Sequence, residues 1–514
     1  MSNLNLYLYL CLLLLEPAQA QLRLAPVFGS NMVLQQGKEL PVWGTASAGE
    51  RISIELNGSK KETVAADDGR WSVALPPQRA GGPFVMKVEG NNSVELKNVL
   101  IGEVWLASGQ SNMEFSLDKS TDGDAEIAAA NDDDLRLLTV KRAVSETVQT
   151  TFEGKWQSCN PKSVRRFSAV AYYFAKHLRA TLKIPVGIIH SSWGGTAAES
   201  WIPHSALDTD PDFAPILERW EKDKANYPTA FAEFREKEQE LLKKWEDDSV
   251  RAVAENRVVP QKPRPPRGDP GSRDTPSGQY NAMIAPLVPL AIEGVIWYQG
   301  EANASRAYQY RTLFPVLIKE WRSVWSRADL PFYYVQLPNL ARQPEPSRSG
   351  WAELREAQLM TLNVPHTGMA VTIDVGDPAN LHPTNKKPVG ERLALIAEAK
   401  VYGQKVEYSG PVYRSFKGEG NKIRISFDHA ESGLVAKGGE LKGFFIAGQN
   451  MKFMRAKAVI DGLDILVENE LIAIPVAVRY AWADNPDCNL YNGAGLPASP
   501  FRTDDWPEVT YGRK

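Results

Sequence analysis

Cysteine and histidine are scarce, with three Cys and six His in 514 residues. No C-x-x-C or H-E-x-x-H spacing occurs, which argues against a structural zinc site. An excess of one charge is missing as well. Lys and Arg total 59 against 62 Asp and Glu, for a formal net charge of −3. A mainly electrostatic nucleic-acid binder would carry a clearly basic domain, so that class is disfavoured. Long apolar runs are absent apart from residues 6–15, and ten residues are too few to span a bilayer as a mature helix. What remains is an ordinary globular composition, 43% hydrophobic and 24% charged. The length suits about three domains. The supply of 14 Trp and 17 Tyr is generous. Flat rings suit stacking on sugars, although ordinary packing accounts for most of them.

The apolar run ends at Glu16-Pro17 and is followed by Ala18-Gln19-Ala20, a small-x-small cleavage signal. Residues 1–20 are therefore read as a signal peptide cut after Ala20, although no Lys or Arg precedes the run. Export to the periplasm or the extracellular space follows. The mature chain then has no stretch suited to stable membrane insertion. Cys11 leaves with the leader, and Cys159 and Cys488 remain where disulfides persist and are free to pair.

Residues 21–98 read as a β-sandwich of short strands. The alternating segment Arg51–Leu56 is followed by the turn pair Asn57-Gly58, and Asp68-Gly69 precedes a second such segment. From residue 99 the rhythm changes. Apolar strand-like runs at 99–107, 186–191, 294–298, 332–337 and 369–374 alternate with helical patterns. Alternation of that kind implies a parallel sheet covered on both faces, with chemistry at the carboxyl ends of its strands. Residues 99–402 thus form an α/β domain. Residues 206–278 interrupt it with a charged helical insertion that ends Pro-rich. This is read as a solvated helix with a stiff linker. From 403 to 514 the β patterning returns as a C-terminal module.

Four strand ends carry the chemistry. The first reads Ser108-Gly109-Gln110-Ser111-Asn112-Met113. It places Ser111 at a helix start, where free N–H groups can hold an oxyanion. A Ser there also serves as a plain cap, and Met113 breaks the G-x-S-x-G elbow. The second reads Ser191-Ser192-Trp193-Gly194-Gly195-Thr196, whose glycines let backbone approach a substrate. The third places Gln299, Glu301 and Asn303 in one loop. The fifth run ends in Asp374-Val375-Gly376-Asp377-Pro378-Ala379-Asn380-Leu381-His382. Among the six His, His382 has the best claim to act as a general base. Ser, Gly-Gly, amide and Asp/His at convergent strand ends together point to acyl transfer.

These blocks resemble the sialate O-acetylesterases of the SGNH hydrolase superfamily. The matching segments are GEVWLASGQSNME (102–114), SSWGGTAAESW (191–201), VIWYQGEANA (295–304) and IDVGDPANLHPTNKKPVGERLA (373–394), with residues 479–507 also similar. The resemblance implies a flavodoxin-like three-layer α/β/α fold and hydrolysis of acetyl esters on carbohydrates, with no cofactor or metal. It implies Ser111 as nucleophile, His382 as base, and Ser111 and Gly195 N–H groups in the oxyanion hole. Gln299 and Asn303 compete for a side-chain donor there. The superfamily usually has an Asp three residues before its His, but here that position is Ala379. Asp377 is favoured to orient His382, with Asp374 or a backbone carbonyl as alternatives. Acetylxylan or another polysaccharide ester would suit the same chemistry. A non-catalytic sugar-binding protein on this fold is disfavoured by the joint presence of Ser111 and His382.

Overall fold

The computed structural model describes residues 21–514 except Asn256, Val258, Gln261 and residues 341–348. The expected leader, residues 1–20, lies outside the described residues. A strand covered on both faces reads as a continuous apolar run, and residues 99–107 have that pattern. They belong to β1 (Ser93–Gly109), one strand of 17 residues. Around it stand β2 (Asp132–Thr139), β3 (Trp156–Cys159), β4 (Val186–Ser192), β5 (Gly294–Tyr298), β6 (Phe332–Val335) and β7 (Thr367–Ala370). Their spatial order is β3-β2-β4-β1-β5-β6-β7. All neighbours are parallel except the edge pair β3·β2. The chain builds one half of the sheet on the β4 side of β1 and then crosses to the β5 side. The carboxyl end of β1 is therefore a topological switch point, where open α/β sheets bind ligands. Register makes the three central ends level, with Gly109 opposite both Ser192 and Tyr298.

The turn after β1 opens a short helix, α1 (Ser111–Glu114). On one face of the sheet lies α2 (Ala169–Leu182), whose Phe174 meets Trp105 of β1 edge-on at 5.1 Å. The insertion contributes α3 (Ala214–Ala254), 41 residues with only Ile216, Trp220 and Ala252 buried. That polar surface matches the expected solvated helix. The other face is covered by α4 (Ala307–Val324), whose Trp321 and Phe314 lie 5.8 and 6.4 Å from Trp297 of β5. Aromatic pairs of this kind add about 0.5–1.5 kcal/mol each beyond area burial. Two more helices follow, α5 (Gly350–Met360) and α6 (Lys387–Lys400), and α6 packs against α2.

The N-terminal segment folds as short β-strands. Asn57 and Gly58 both have positive φ, 47° and 76°, the turn that joins Arg51–Leu56 to Ser59–Val64. The segment is not separated from the α/β domain by a linker, because β1 runs unbroken across the expected 98/99 boundary. Its first half pairs with Gly81–Glu89, and its second half lies between β4 and β5. The C-terminal module has its own core, including Ile423, Ile425, Phe444, Ile465 and Val478. It returns to the α/β domain through Arg355 of α5. That buried guanidinium donates to the carbonyls of Leu337, Pro338, Ala483 and Asp484 at 2.6–2.9 Å. Cys159 and Cys488 are both free thiols, and burial pushes each up to about 11. No helix among the described residues is long and apolar enough to cross a membrane.

Candidate active site

Ser111 stands at the switch point because Gly109 lets the chain turn there. Gly109 has φ +135°, and a Cβ on it would lie 2.2 Å from the Tyr298 carbonyl oxygen of β5. Gln110 then donates its N–H to that oxygen, while its Oε1 accepts from Gly300 and Ala302 N–H at 3.3 and 3.2 Å. Ser111 is the first residue of α1, and its N–H has no partner among the described residues. Gly194 packs directly against it, for a Cβ there would lie 3.1 Å from Ser111 Cβ. The Gly195 N–H is likewise without a partner among the described residues. The Ser111 N–H is thus free beside its own hydroxyl, and Gly195 follows the glycine packed against Ser111.

Ser111 and His382 line one cavity of about 440 Å³, with Glu114, His190, Ser192, Lys119, Lys141, Arg142 and Arg166. No hydrogen bond joins Ser111 to His382 among the described residues. His382 is half-buried in the loop between β7 and α6. Burial, then the charges of Lys386 and Lys119, hold its imidazole below the usual His range. It is therefore neutral at neutral pH, the form a general base needs.

The structure departs from the expected support of His382. Asp377 does not reach the imidazole; its Oδ1 accepts the Ala379 N–H at 2.9 Å, a local turn bond. Asp374 is held in a two-point ion pair with Arg392 at 2.7 Å. Of the residues expected in the oxyanion hole, Gly195, Gln299 and Asn303 do not line the cavity. Gln299 is fully buried. It donates to Asn303 Oδ1 at 2.7 Å and to Thr196 O at 3.3 Å, and accepts from the Tyr310 hydroxyl at 2.9 Å. Asn303 donates to Glu199 at 2.8 Å and accepts the Ala198 N–H at 2.9 Å. These amides tie the second loop to the third; both Gln299 N–H groups are used, whereas Asn303 Nδ2 has one bond, to Glu199, and one N–H without a partner among the described residues.

Several residues at the site escaped the sequence reading. Glu114, one turn after Ser111, accepts the Gly194 N–H at 2.9 Å and pairs with Arg142, so it pins the Gly-Gly loop to α1. Its Ser-x-x-Glu spacing was the available signal. Arg273, at the end of the insertion, donates to the Gly194 carbonyl at 2.8 Å. A Ser–His hydrogen bond in the cavity is made by another pair, His190 Nε2 to Ser192 Oγ at 2.5 Å. Burial, with the Arg142 charge, pushes His190 down to about 4, which makes it a weak base near neutral pH. Ser192 is also a strand residue paired with Gly109, without the free N–H groups of a helix start.

The family described as "carbohydrate esterase, sialic acid-specific acetylesterase" matches residues 273–397. A solved carbohydrate acetylesterase from Xanthomonas citri shares 38% identity, with a TM-score of 0.80, covering 94% of this chain and all of that one. The chain belongs to the sialate O-acetylesterase family of carbohydrate esterases. Its α/β domain has the SGNH-type fold, and the protein is a carboxylic ester hydrolase. Curated sialate O-acetylesterases match along nearly their whole lengths. The mouse (Mus musculus) protein is 28% identical over 93% of this chain and 94% of its own. The human (Homo sapiens) protein is 27% identical over 93% and 92%.

Proposed function

We propose that the protein removes acetyl groups from sugar hydroxyls by a serine acyl-enzyme mechanism. In the first step Ser111 Oγ attacks the acetyl carbonyl while a ring nitrogen of His382 takes the hydroxyl proton. The carbonyl oxygen gains negative charge and is held by the Ser111 and Gly195 N–H groups. One such donor is worth on the order of 100- to 1,000-fold in rate. The ester bond then breaks, the imidazolium returns its proton to the sugar oxygen, and the sugar leaves. In the second step His382 deprotonates water, which releases acetate and restores Ser111. The observation that carries this reading is the shared cavity of Ser111 and His382 at the switch point, with the unpartnered Ser111 N–H at its helix start.

The cavity rim also supports an acidic sugar. Lys119, Lys141, Arg142 and Arg166 line it, with Glu114 as the one carboxylate. Glu114, Glu153 and Asp118 pair with Arg142, Lys141 and Arg166, whereas Lys119 has no ion-pair partner among the described residues. A surplus cation at the mouth favours a carboxylate-bearing substrate such as an O-acetylated sialic acid over a neutral polysaccharide. The test is acetate release by the purified mature protein from O-acetylated sialic acid and, side by side, acetylated xylan, with Ser111→Ala as control. Ser111-dependent release from the sialic acid is expected. Release from xylan alone would keep the chemistry and overturn the acidic substrate; release from neither would contradict the reading. We also infer export to the periplasm or beyond, and N-terminal sequencing of the mature chain should begin at Gln21.

A further inference from the structure

Among the described residues no carboxylate is hydrogen-bonded to the His382 imidazole. The usual position is Ala379, Asp377 is turned to its own backbone, and Asp374 belongs to Arg392. What does reach the loop is Asn112, the fully buried neighbour of Ser111. Its Nδ2 donates to the Leu381 carbonyl at 3.1 Å, the peptide group just before His382, and to Glu301 Oε1 at 2.5 Å. Its Oδ1 accepts from the Lys386 ammonium. Lys386 is 1% exposed, and its Nζ lies over the rings of Phe115 at 4.9 Å and Tyr298 at 5.4 Å. An amide fits a site in two orientations, but an ammonium only donates, so it selects the one with oxygen toward Lys386. That choice aims both Nδ2 hydrogens at Leu381 and Glu301.

We propose that Lys386 is a positioning residue that acts through Asn112, holding the His382 backbone against the Ser111 turn in place of the missing acid. The inference rests on the reading of Ser111 and His382 as nucleophile and base. The charged and titratable groups that face Lys386 are Glu301, whose Oε2 has no hydrogen-bond partner, Tyr298 and His382. Burial pushes the ammonium down to about 7, so it is charged on the acid side where His382 titrates. Its charge then disfavours the imidazolium.

The test measures kcat, KM and the pH profile with 4-nitrophenyl acetate for Lys386→Met, Asn112→Asp, the double variant and His382→Ala. Rates are taken per folded enzyme, below each unfolding midpoint. Lys386→Met should lose about 10- to 100-fold in kcat with KM within threefold, because a displaced base harms the reacting geometry rather than binding. Its acid limb in kcat/KM should move to higher pH. Asn112→Asp keeps the volume and the Lys386 contact but loses both donors, so it should show a comparable kcat loss. It carries the test alone if Lys386→Met does not fold. The double variant should be no slower than the worse single, as expected for one linked unit. Single variants within threefold of wild type, or a double variant whose loss is the product of the singles, would overturn the relay. Full activity in His382→Ala would instead overturn the assignment of the base.

Discussion

Replacing Gly109 with Ala is the sharpest probe of how the sheet places the nucleophile. A Cβ at this position would lie 2.2 Å from the Tyr298 carbonyl oxygen and 2.7 Å from its carbon. A close C···O contact is about 3.3 Å, so the two strand ends must part by about 1 Å. The backbone is also at φ +135°, which costs a side-chain-bearing residue on the order of 1–3 kcal/mol. Parting β1 from β5 breaks the Gln110 N–H bond to Tyr298 O and shifts Ser111, the next residue along. A 1 Å misplacement of a reacting group costs about 100-fold in rate. Gly109→Ala should therefore lose roughly 100-fold in kcat/KM for an aryl acetate. Far-UV circular dichroism should be unchanged and the unfolding free energy lower by about 1–3 kcal/mol. Activity within threefold of wild type, in a stably folded variant, would refute the claim that this close approach sets the Ser111 position.

Other predictions follow from the same structure. The neutral form of His382 is the active one and its pKa is held down, so activity is kept as pH falls toward the ordinary His value. The acid limb of kcat/KM should have its midpoint below 6.5, and a midpoint above 6.5 would contradict the environment described. Arg355→Met leaves four carbonyls without their cationic donor and should cost at least about 3 kcal/mol in urea unfolding, loosening the C-terminal module first. Denatured mature protein without reductant should titrate two free thiols, Cys159 and Cys488; none would mean a disulfide absent from this fold.

Much of the α/β domain was legible in the sequence because parallel strands buried on both faces announce themselves as apolar runs. The strand β2 escaped because it opens on Asp132, Asp133 and Asp134 and turns apolar only at Leu135. The insertion was legible for the opposite reason, since its charge leaves no apolar face to bury. The join at 98/99 was read as a boundary because the burial pattern changes there, although one strand serves both modules. At the site, Ser111 and His382 fall in one cavity because strand ends converge by topology. The roles of Asp377, Gln299 and Asn303 were not legible, because side-chain direction depends on partners far away in sequence. Asn303 faces Glu199 and Ala198, about 100 residues earlier, and nothing local reports it.

The central claim is that Ser111, and not Ser192 beside His190, forms the acyl-enzyme. The most direct measurement is to label the protein with a fluorophosphonate and map the modified residue by peptide mass spectrometry. Ser111 should carry the label, and its modification should abolish acetate release, with no labelling in Ser111→Ala or His382→Ala. A label on Ser192 that survives in Ser111→Ala and tracks the loss of activity would contradict the account.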